Sequence, residues 1–377
     1  MRLNIHNSSK SNHTIFDRLK RKDFFFEEFE NNFFFKPFLD SNYFKKLNYK
    51  KLVNNKNRVH VFGMGGSSLS SKLLIQFLNT KDLNSKIFIY DNPYDELIEK
   101  NLSQYKITNN DKFIFISKSG KTAETKYFLE YIEKYLAKIG LKKPKKNFIF
   151  ITENTNNFLN NYGKKNNIIC FEHDPNIGGR FSIFSITGLL PLLLIGYDLT
   201  KLVSEAKKAF QEIKKDKIKI GKFLLDFYSS QKINKTNIFI GLSYNQKLSS
   251  INEWYRQIFA ESLGKNNKAI TYISSLGPID QHSQFQLYID GPQDKSYVFF
   301  KLIDNKKQIL NTLYDGAIKT LIDGGKLVSS ISIENNYKSY NKLIILLIFD
   351  IFLRSRVENI NFLDQPAVEI LKKNTKI

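Results

Sequence analysis

Cysteine is almost missing from this sequence: Cys170 is the single thiol among 377 residues. Disulfide frameworks and cysteine-based metal sites are therefore excluded. The lone thiol, in Ile168-Ile-Cys-Phe171, reads as part of a buried strand, and a chain this poor in cysteine suits a reducing, cytoplasmic setting. Long apolar runs are missing too. The two longest, Gly188 to Leu199 and Leu343 to Leu353, are interrupted by Pro191 and Asp350, and neither is long enough to span a bilayer. The opening residues, Met1-Arg-Leu-Asn-Ile-His-Asn-Ser-Ser-Lys10, lack the apolar stretch of a secretory signal.

Acidic residues are scarce as well: 36 Asp and Glu stand against 58 Lys and Arg, for a formal charge of +22. A basic surface attracts phosphate whatever carries it. Yet Lys and Asn are spread along the whole chain, in runs such as Lys142-Lys-Pro-Lys-Lys-Asn147. The basic patch interleaved with aromatics that marks a nucleic-acid groove is not there. No nucleic-acid partner and no membrane are expected, although a positive field still hastens the arrival of a small anion. What is plentiful is apolar side chain. Hydrophobic residues make up 42%, with 33 Phe, enough to fill the two cores that a chain of this length calls for.

Residues 1–50 carry the clusters Phe24-Phe-Phe26 and Phe33-Phe-Phe35 and read as an N-terminal helical segment packed on a core. From Arg58 the texture changes. Short β-rich runs at His60–Phe62, Lys86–Tyr90, Lys112–Ile116, Asn147–Thr152 and Asn167–Phe171 alternate with helical patterns, which argues for an α/β domain with a parallel, doubly wound sheet over residues 51–200. After a helix-rich passage from Ser182 to about Leu224, strand signals return at Asn237–Leu242, Ala269–Ile273, Phe285–Ile289 and Tyr297–Leu302. They define a second α/β domain over residues 201–377. A long apolar helix after Lys338 and a polar tail from Asp364 close it.

Two loops carry chemistry. Val59-His-Val-Phe-Gly-Met-Gly-Gly-Ser-Ser-Leu69 is a strand running through a glycine and serine turn into a helix, so backbone N–H groups and the helix N-terminus face the turn and suit an anion. Gly63, Gly65 and Gly66 let the backbone come close, and the Ser67 and Ser68 hydroxyls donate. The strand ending at Ile116 feeds a second such loop, Ser117-Lys-Ser-Gly-Lys-Thr-Ala-Glu-Thr125. Neighbouring parallel strands bring both to one carboxyl edge, where they can share one phosphate. The spacing fits neither a Walker A loop nor the dinucleotide fingerprint.

With these loops, Gly178-Gly-Arg-Phe-Ser182, Phe259-Ala-Glu-Ser-Leu-Gly-Lys265, Gly277-Pro-Ile-Asp-Gln-His-Ser-Gln284 and Asp364-Gln-Pro-Ala-Val-Glu-Ile-Leu-Lys372 stand in the order and spacing of glucose-6-phosphate isomerases. The chain resembles that family, in a short bacterial form, over about residues 58–373. The resemblance implies two sugar-isomerase αβα sandwich domains with an active site between them. It also implies aldose–ketose isomerisation of a sugar phosphate, with no metal or organic cofactor. Ser67, Ser117, Ser119 and Thr122, with the Lys118 backbone and the close approach at Gly66, are then the phosphate ligands. Arg180 stabilises negative charge during proton transfer, and Gln257 and Gln365 lie near the sugar.

In the same resemblance Glu261 is the catalytic base, taking the proton from carbon 2 and returning it at carbon 1 through an enediol. His282 matches the histidine that opens the sugar ring, and Lys372 matches a lysine that assists it. The family histidine crosses a subunit boundary, so a homodimer with shared active sites is implied. Lys121 stands where many relatives carry a hydroxyl and either adds charge to the phosphate site or points to solvent. The residues before Gln281-His282 depart from the commoner family pattern. Two other readings stay open: an isomerase that also accepts mannose 6-phosphate, and a non-catalytic sugar-phosphate sensor, which would have no use for Glu261, His282 and Lys372 together.

Overall fold

The computed structural model describes residues 1–8, 24–141, 143–303 and 308–374, the side chains of residues 24, 25, 369, 372 and 373 excepted. The chain opens on a strand, β1 (Arg2–His6), in the segment that the sequence suggests is helical. Two compact units follow from the backbone contacts: one holds residues 33–200, the other residues 1–32 together with those from 201 onward.

In the first unit β2 (Arg58–Gly63), β3 (Ile87–Tyr90), β4 (Asp111–Ile116), β5 (Phe148–Thr152) and β6 (Ile169–Glu172) form a sheet of order β3-β2-β4-β5-β6. All its pairings are parallel. The central strands are runs of Ile, Val and Phe because helices cover the sheet and leave no room for alternation with polar residues. Phe62, Phe113, Phe115 and Phe148 pack with Ile98, Phe128 and Ile132 of the helices Asp95–Ser103 and Ala123–Lys138. The helices Gly66–Leu78 and Ile186–Leu194 pack on β2 and on each other. Cys170 corrects the sequence reading: it lies on the edge strand β6 and is exposed, because an edge strand has no neighbour to cover it.

The amino edge of this sheet hides a polar cluster. Asp111 is fully buried and accepts from Arg58 Nε at 2.8 Å and from the Thr108 backbone N–H at 2.7 Å. His60 stacks between Phe88 and Phe113, with its Nε2 3.3 Å from Asp111 Oδ1 and its Nδ1 3.2 Å from the Tyr90 hydroxyl. A carboxylate only accepts, so the neutral imidazole donates from Nε2 and accepts at Nδ1. Burial pushes the His60 pKa down, and the bond to Asp111 offsets this only in part. Burial also works against the Asp111 carboxylate, but the bonds from His60, Arg58 and Thr108 outweigh it and hold its pKa well below the usual range.

The second unit has β7 (Ile238–Ser243), β8 (Thr271–Leu276), β9 (Lys295–Ile303) and β10 (Leu327–Glu334) in the order β1-β10-β9-β7-β8. Its strands are parallel except β1, which runs antiparallel to β10. Residues Phe285–Asp290 form a short helix rather than a strand, burying Phe285 and Tyr288 on one side. Beyond Asp364 the tail continues as the helix Pro366–Asn374. Two long helices back the sheet. Gln246–Leu263 starts on the Asn245 side chain, which accepts from the Lys247 N–H, and Tyr337–Glu358 starts on Asn336, which accepts from the Ser339 N–H. Among the described residues no helix is long and apolar enough to cross a membrane.

A second buried histidine, His173, follows β6; burial pushes its pKa down to about 4. For both histidines the folded pKa lies below the unfolded value of about 6.5. Their contribution to stability is therefore complete above that value and is lost as pH falls. His173 alone accounts for roughly 2 kcal/mol between pH 7.5 and pH 5. The thermal midpoint is expected to fall over that interval, and to fall less in His173→Asn; equal slopes in variant and parent would contradict the assignment.

Candidate functional site

The first anion loop is built where β2 gives way to the helix Gly66–Leu78. Gly65, with φ of 55°, caps that helix, a conformation that favours glycine. Gly66 is constrained from outside: a Cβ there would stand 2.3 Å from the carbonyl carbon of Gly179 and 2.5 Å from the nitrogen of Arg180. The helix start and the Gly178-Gly-Arg180 segment thus touch backbone to backbone. Ser70 Oγ donates to the Gly66 carbonyl at 2.8 Å and meets Ser182 Oγ at 3.1 Å, and Ser182 Oγ donates to the Gly179 carbonyl at 2.7 Å. Arg180, expected near the substrate, is only 3% exposed, so it is not a surface arginine. The N-terminal phenylalanines brace this segment: Phe34 stacks on Phe181 and Phe38 packs edge-on against Phe184, both at 4.9 Å.

The second loop leaves β4, the direct neighbour of β2. Ser117 is buried, and its hydroxyl lies 2.7 Å from that of Thr122. Thr122 is the N-cap of Ala123–Lys138 without a side-chain bond to that helix, so the hydroxyl pair faces the loop and leaves backbone N–H groups for an anion. Gly120 has φ of 63°, and its Cβ would stand 2.1 Å from Asn157 Oδ1, so no other residue fits that turn. Ser119 is exposed and its Oγ accepts from the Lys121 N–H at 3.3 Å. The Lys118 side chain turns away from ligand duty, donating to the Pro175 carbonyl at 2.8 Å with Glu153 at 3.5 Å. It ties this loop to the stretch that leads into Gly178.

One residue escapes sequence reasoning. Thr125 lies one turn beyond Thr122, and its buried hydroxyl has no hydrogen-bond partner. The three-residue spacing after Thr122 is the signal that points to it.

In the second unit, Glu261 sits in the last turn of Gln246–Leu263 and is half-buried. Gln257, one turn earlier, donates from Nε2 to Glu261 Oε1 at 2.8 Å, which fixes the carboxylate. Lys265 ends the same motif and reaches the 361–364 stretch, donating to the Asp364 carbonyl at 2.7 Å and pairing with its carboxylate at 2.5 Å. This brings the Gln365 motif to the glutamate end of the helix. Lys372 falls in the helix Pro366–Asn374, but its side chain is outside the described residues.

His282 is placed elsewhere. It lies exposed in the last turn of Gly277–Ser283, directly after the carboxyl end of β8. Asp280 holds that helix in place, accepting from Ser275 Oγ at 2.5 Å and from the Leu276 N–H at 2.9 Å. The chain after Glu261 instead returns to the amino edge, where the Thr271 N–H donates to the Asn237 carbonyl. A strand the length of β8, with six residues, spans roughly 20 Å. Glu261 and His282 of one chain therefore stand at opposite edges of one sheet.

Comparison with known proteins bears on the family and the fold. The phosphoglucose isomerase family model matches residues 40–336. A curated glucose-6-phosphate isomerase of Campylobacter jejuni is 32% identical over 86% of this chain and 84% of its own length. Among solved structures, a hypothetical protein of Thermus thermophilus superposes with a TM-score of 0.79 over 99% of both chains at 22% identity. A glucose-6-phosphate isomerase of Chlamydia trachomatis gives 0.70 over 86% of this chain and 69% of its own, at 17% identity. The last two establish likeness of fold.

The backbone contact at Gly66 is open to a direct test. Gly66→Ala must push the Arg180 segment aside, costing about 1–3 kcal/mol as overpacking does, and is expected to weaken binding of inorganic phosphate. Gly179→Ala, whose Cβ meets nothing within 4 Å, should leave melting and phosphate binding unchanged. Equal behaviour of the two variants would contradict this geometry.

Proposed function

The chain belongs to the phosphoglucose isomerase family, and from that premise we propose how its residues interconvert glucose 6-phosphate and fructose 6-phosphate. The observation that carries the reading is the pair of adjacent hydroxyl-rich loops at one carboxyl edge, with the buried Arg180 locked to the first of them. Ser67, Ser117, Ser119 and Thr122, the Lys118 N–H and two helix N-termini bind the phosphate, and Gly66 supplies the close approach. The Thr125 hydroxyl is one more donor behind the second loop.

Glu261 carries out the chemistry. As a carboxylate it takes the proton from carbon 2 of the open aldose, leaving an enediolate whose negative charge Arg180 stabilises. A proton passes from the carbon-2 hydroxyl to the carbon-1 oxygen while the resulting acid returns a proton to carbon 1, so carbon 2 becomes the carbonyl, the carboxylate is regenerated and no electron leaves the substrate. Gln257 keeps the carboxylate aimed through its 2.8 Å bond. Opening of the ring needs a proton moved onto the ring oxygen. His282 performs this, assisted by Lys372, while Gln365 holds the sugar.

The separation of Glu261 from His282 within one chain supports a homodimer in which each histidine serves the other copy's glutamate. The exposed Ile279 and Leu287 beside His282, at 63% and 46% exposure, suit burial at such an interface. The cytoplasm, where glycolysis and gluconeogenesis run, is the setting this activity implies.

Glu261→Gln is expected to lower kcat by about 10²–10⁴-fold, the usual worth of a general base, with fructose 6-phosphate binding preserved; a variant at wild-type rate in a coupled assay refutes the role. The dimer has its own test. Mixing inactive Glu261→Gln with His282→Ala chains restores one intact site per hybrid, about a quarter of parental activity if chains pair at random. Activity no higher than the sum of the separate variants would count against the shared site.

A further inference from the structure

The helix Tyr337–Glu358 buries an unbroken apolar stretch from Leu343 to Leu353 except at one place: Asp350, with Arg354 one turn on. Both side chains are almost fully buried, at 4% and 3% exposure, with Arg354 Nε 2.7 Å from Asp350 Oδ2. Three elements converge on this ion pair. Arg354 Nη1 donates at 2.8 Å to Gln231 Oε1 of the helix Lys217–Ile233, and Gln231 Nε2 donates at 2.8 Å to Ser296 Oγ of β9. The guanidinium also lies 4.8 Å from the Tyr228 ring and 5.5 Å from the rings of Phe239 and Phe259. The Tyr255 hydroxyl donates to the same Asp350 oxygen. Tyr255 and Phe259 belong to the helix that carries Gln257 and Glu261.

A buried ion pair is a poor way to gain stability, because the desolvation of two charges commonly exceeds their attraction and apolar replacements of similar volume are often as stable. Directionality is what the pair supplies. An apolar contact between two helices tolerates sliding and rotation, whereas the Tyr255-to-Asp350 bond is satisfied at one register only. A slip of one residue changes the rise by about 1.5 Å and the facing direction by about 100°. A misplacement of about 1 Å can cost a reaction about 10²-fold.

We propose that the Asp350, Arg354 and Tyr255 cluster is a positioning device that sets the register of the Glu261 helix for proton transfer. This rests on the isomerase reading above. The cluster is buried and holds none of the residues to which the proposal gives sugar or phosphate binding, so its loss appears in kcat and leaves KM in place.

Two variants test it, each assayed with fructose 6-phosphate and melted in parallel with the parent enzyme. Tyr255→Phe removes a single hydroxyl and is expected to lower kcat threefold or more, with KM within twofold. The double variant Asp350→Leu with Arg354→Met leaves the buried Tyr255 hydroxyl and Gln231 carbonyl without these partners, so it is expected to fold with a lowered melting point and to lose tenfold or more in kcat. Folded variants that keep parental kcat, or that lose efficiency through KM alone, overturn the proposal. If the double variant does not fold, Tyr255→Phe decides by the same criteria. A parent enzyme without isomerase activity overturns the functional reading and this proposal with it, whereas an active parent with unaffected variants overturns this proposal alone.

Discussion

The contact on which the binding half of the structure depends is the one between Gly66 and the Gly179-to-Arg180 peptide, where not even a methyl group fits. A single backbone-to-backbone approach fixes the start of one helix and the segment carrying the buried guanidinium. The second loop is held to that segment by the Lys118 ammonium on the Pro175 carbonyl. Each of these parts is a weak anion binder alone. Held together at one edge of a parallel sheet, they concentrate donors and positive charge in the way the proposed binding of a phosphate and an enediolate requires. The phenylalanines of the 33–38 stretch do their work here, because Phe34 and Phe38 support Phe181 and Phe184 from behind.

The proton-transfer half follows a different logic. Glu261, to which the proposal gives the proton transfer, lies at the end of a long helix, so the accuracy of the proposed site depends on how that helix is set against its neighbours. Much of the fixing is polar and buried. Asn252 donates to the Gly241 and Ser275 carbonyls at 2.6 and 3.2 Å and accepts from the Tyr272 hydroxyl at 2.5 Å. Gly241 is needed there, since a Cβ would stand 1.8 Å from that hydroxyl. Such networks add specificity when every member is satisfied. They suit a carboxylate that, in the proposed reaction, acts as base and then as acid without changing place.

Much of this is legible in the sequence, for physical reasons. Parallel strands covered by helices are continuous apolar runs, so β2, β4, β5 and β9 stand out, and glycine with hydroxyl residues at the carboxyl ends of β2 and β4 marks the loops. What escapes has reasons too. β1 is short and mixed in polarity, and it is a strand only because the edge of β10 accepts it. Phe285-Gln-Leu-Tyr-Ile289 alternates like a strand, yet the same letters place Phe285 and Tyr288 three apart on one helical face. Cys170 reads as buried because strand position within the sheet cannot be told from a local run. Glu261, Gln257 and His282 are found through motifs, but their placement at opposite edges of the sheet depends on tertiary structure. Asp350 reads as a mere interruption of an apolar helix, because the partners of its ion pair, Tyr255 on Asp350 and Gln231 on Arg354, come from helices far apart in sequence.

The central claim is that one carboxylate carries a proton between neighbouring carbons through an enediol. It is tested most directly with glucose 6-phosphate deuterated at carbon 2, turned over in ordinary water, with the label followed by NMR in fructose 6-phosphate. A proton held briefly on Glu261 exchanges with solvent in part, so the account predicts product that carries some deuterium at carbon 1 and some hydrogen from water. Complete retention of the label in every turnover would mean a direct hydride shift and would contradict it.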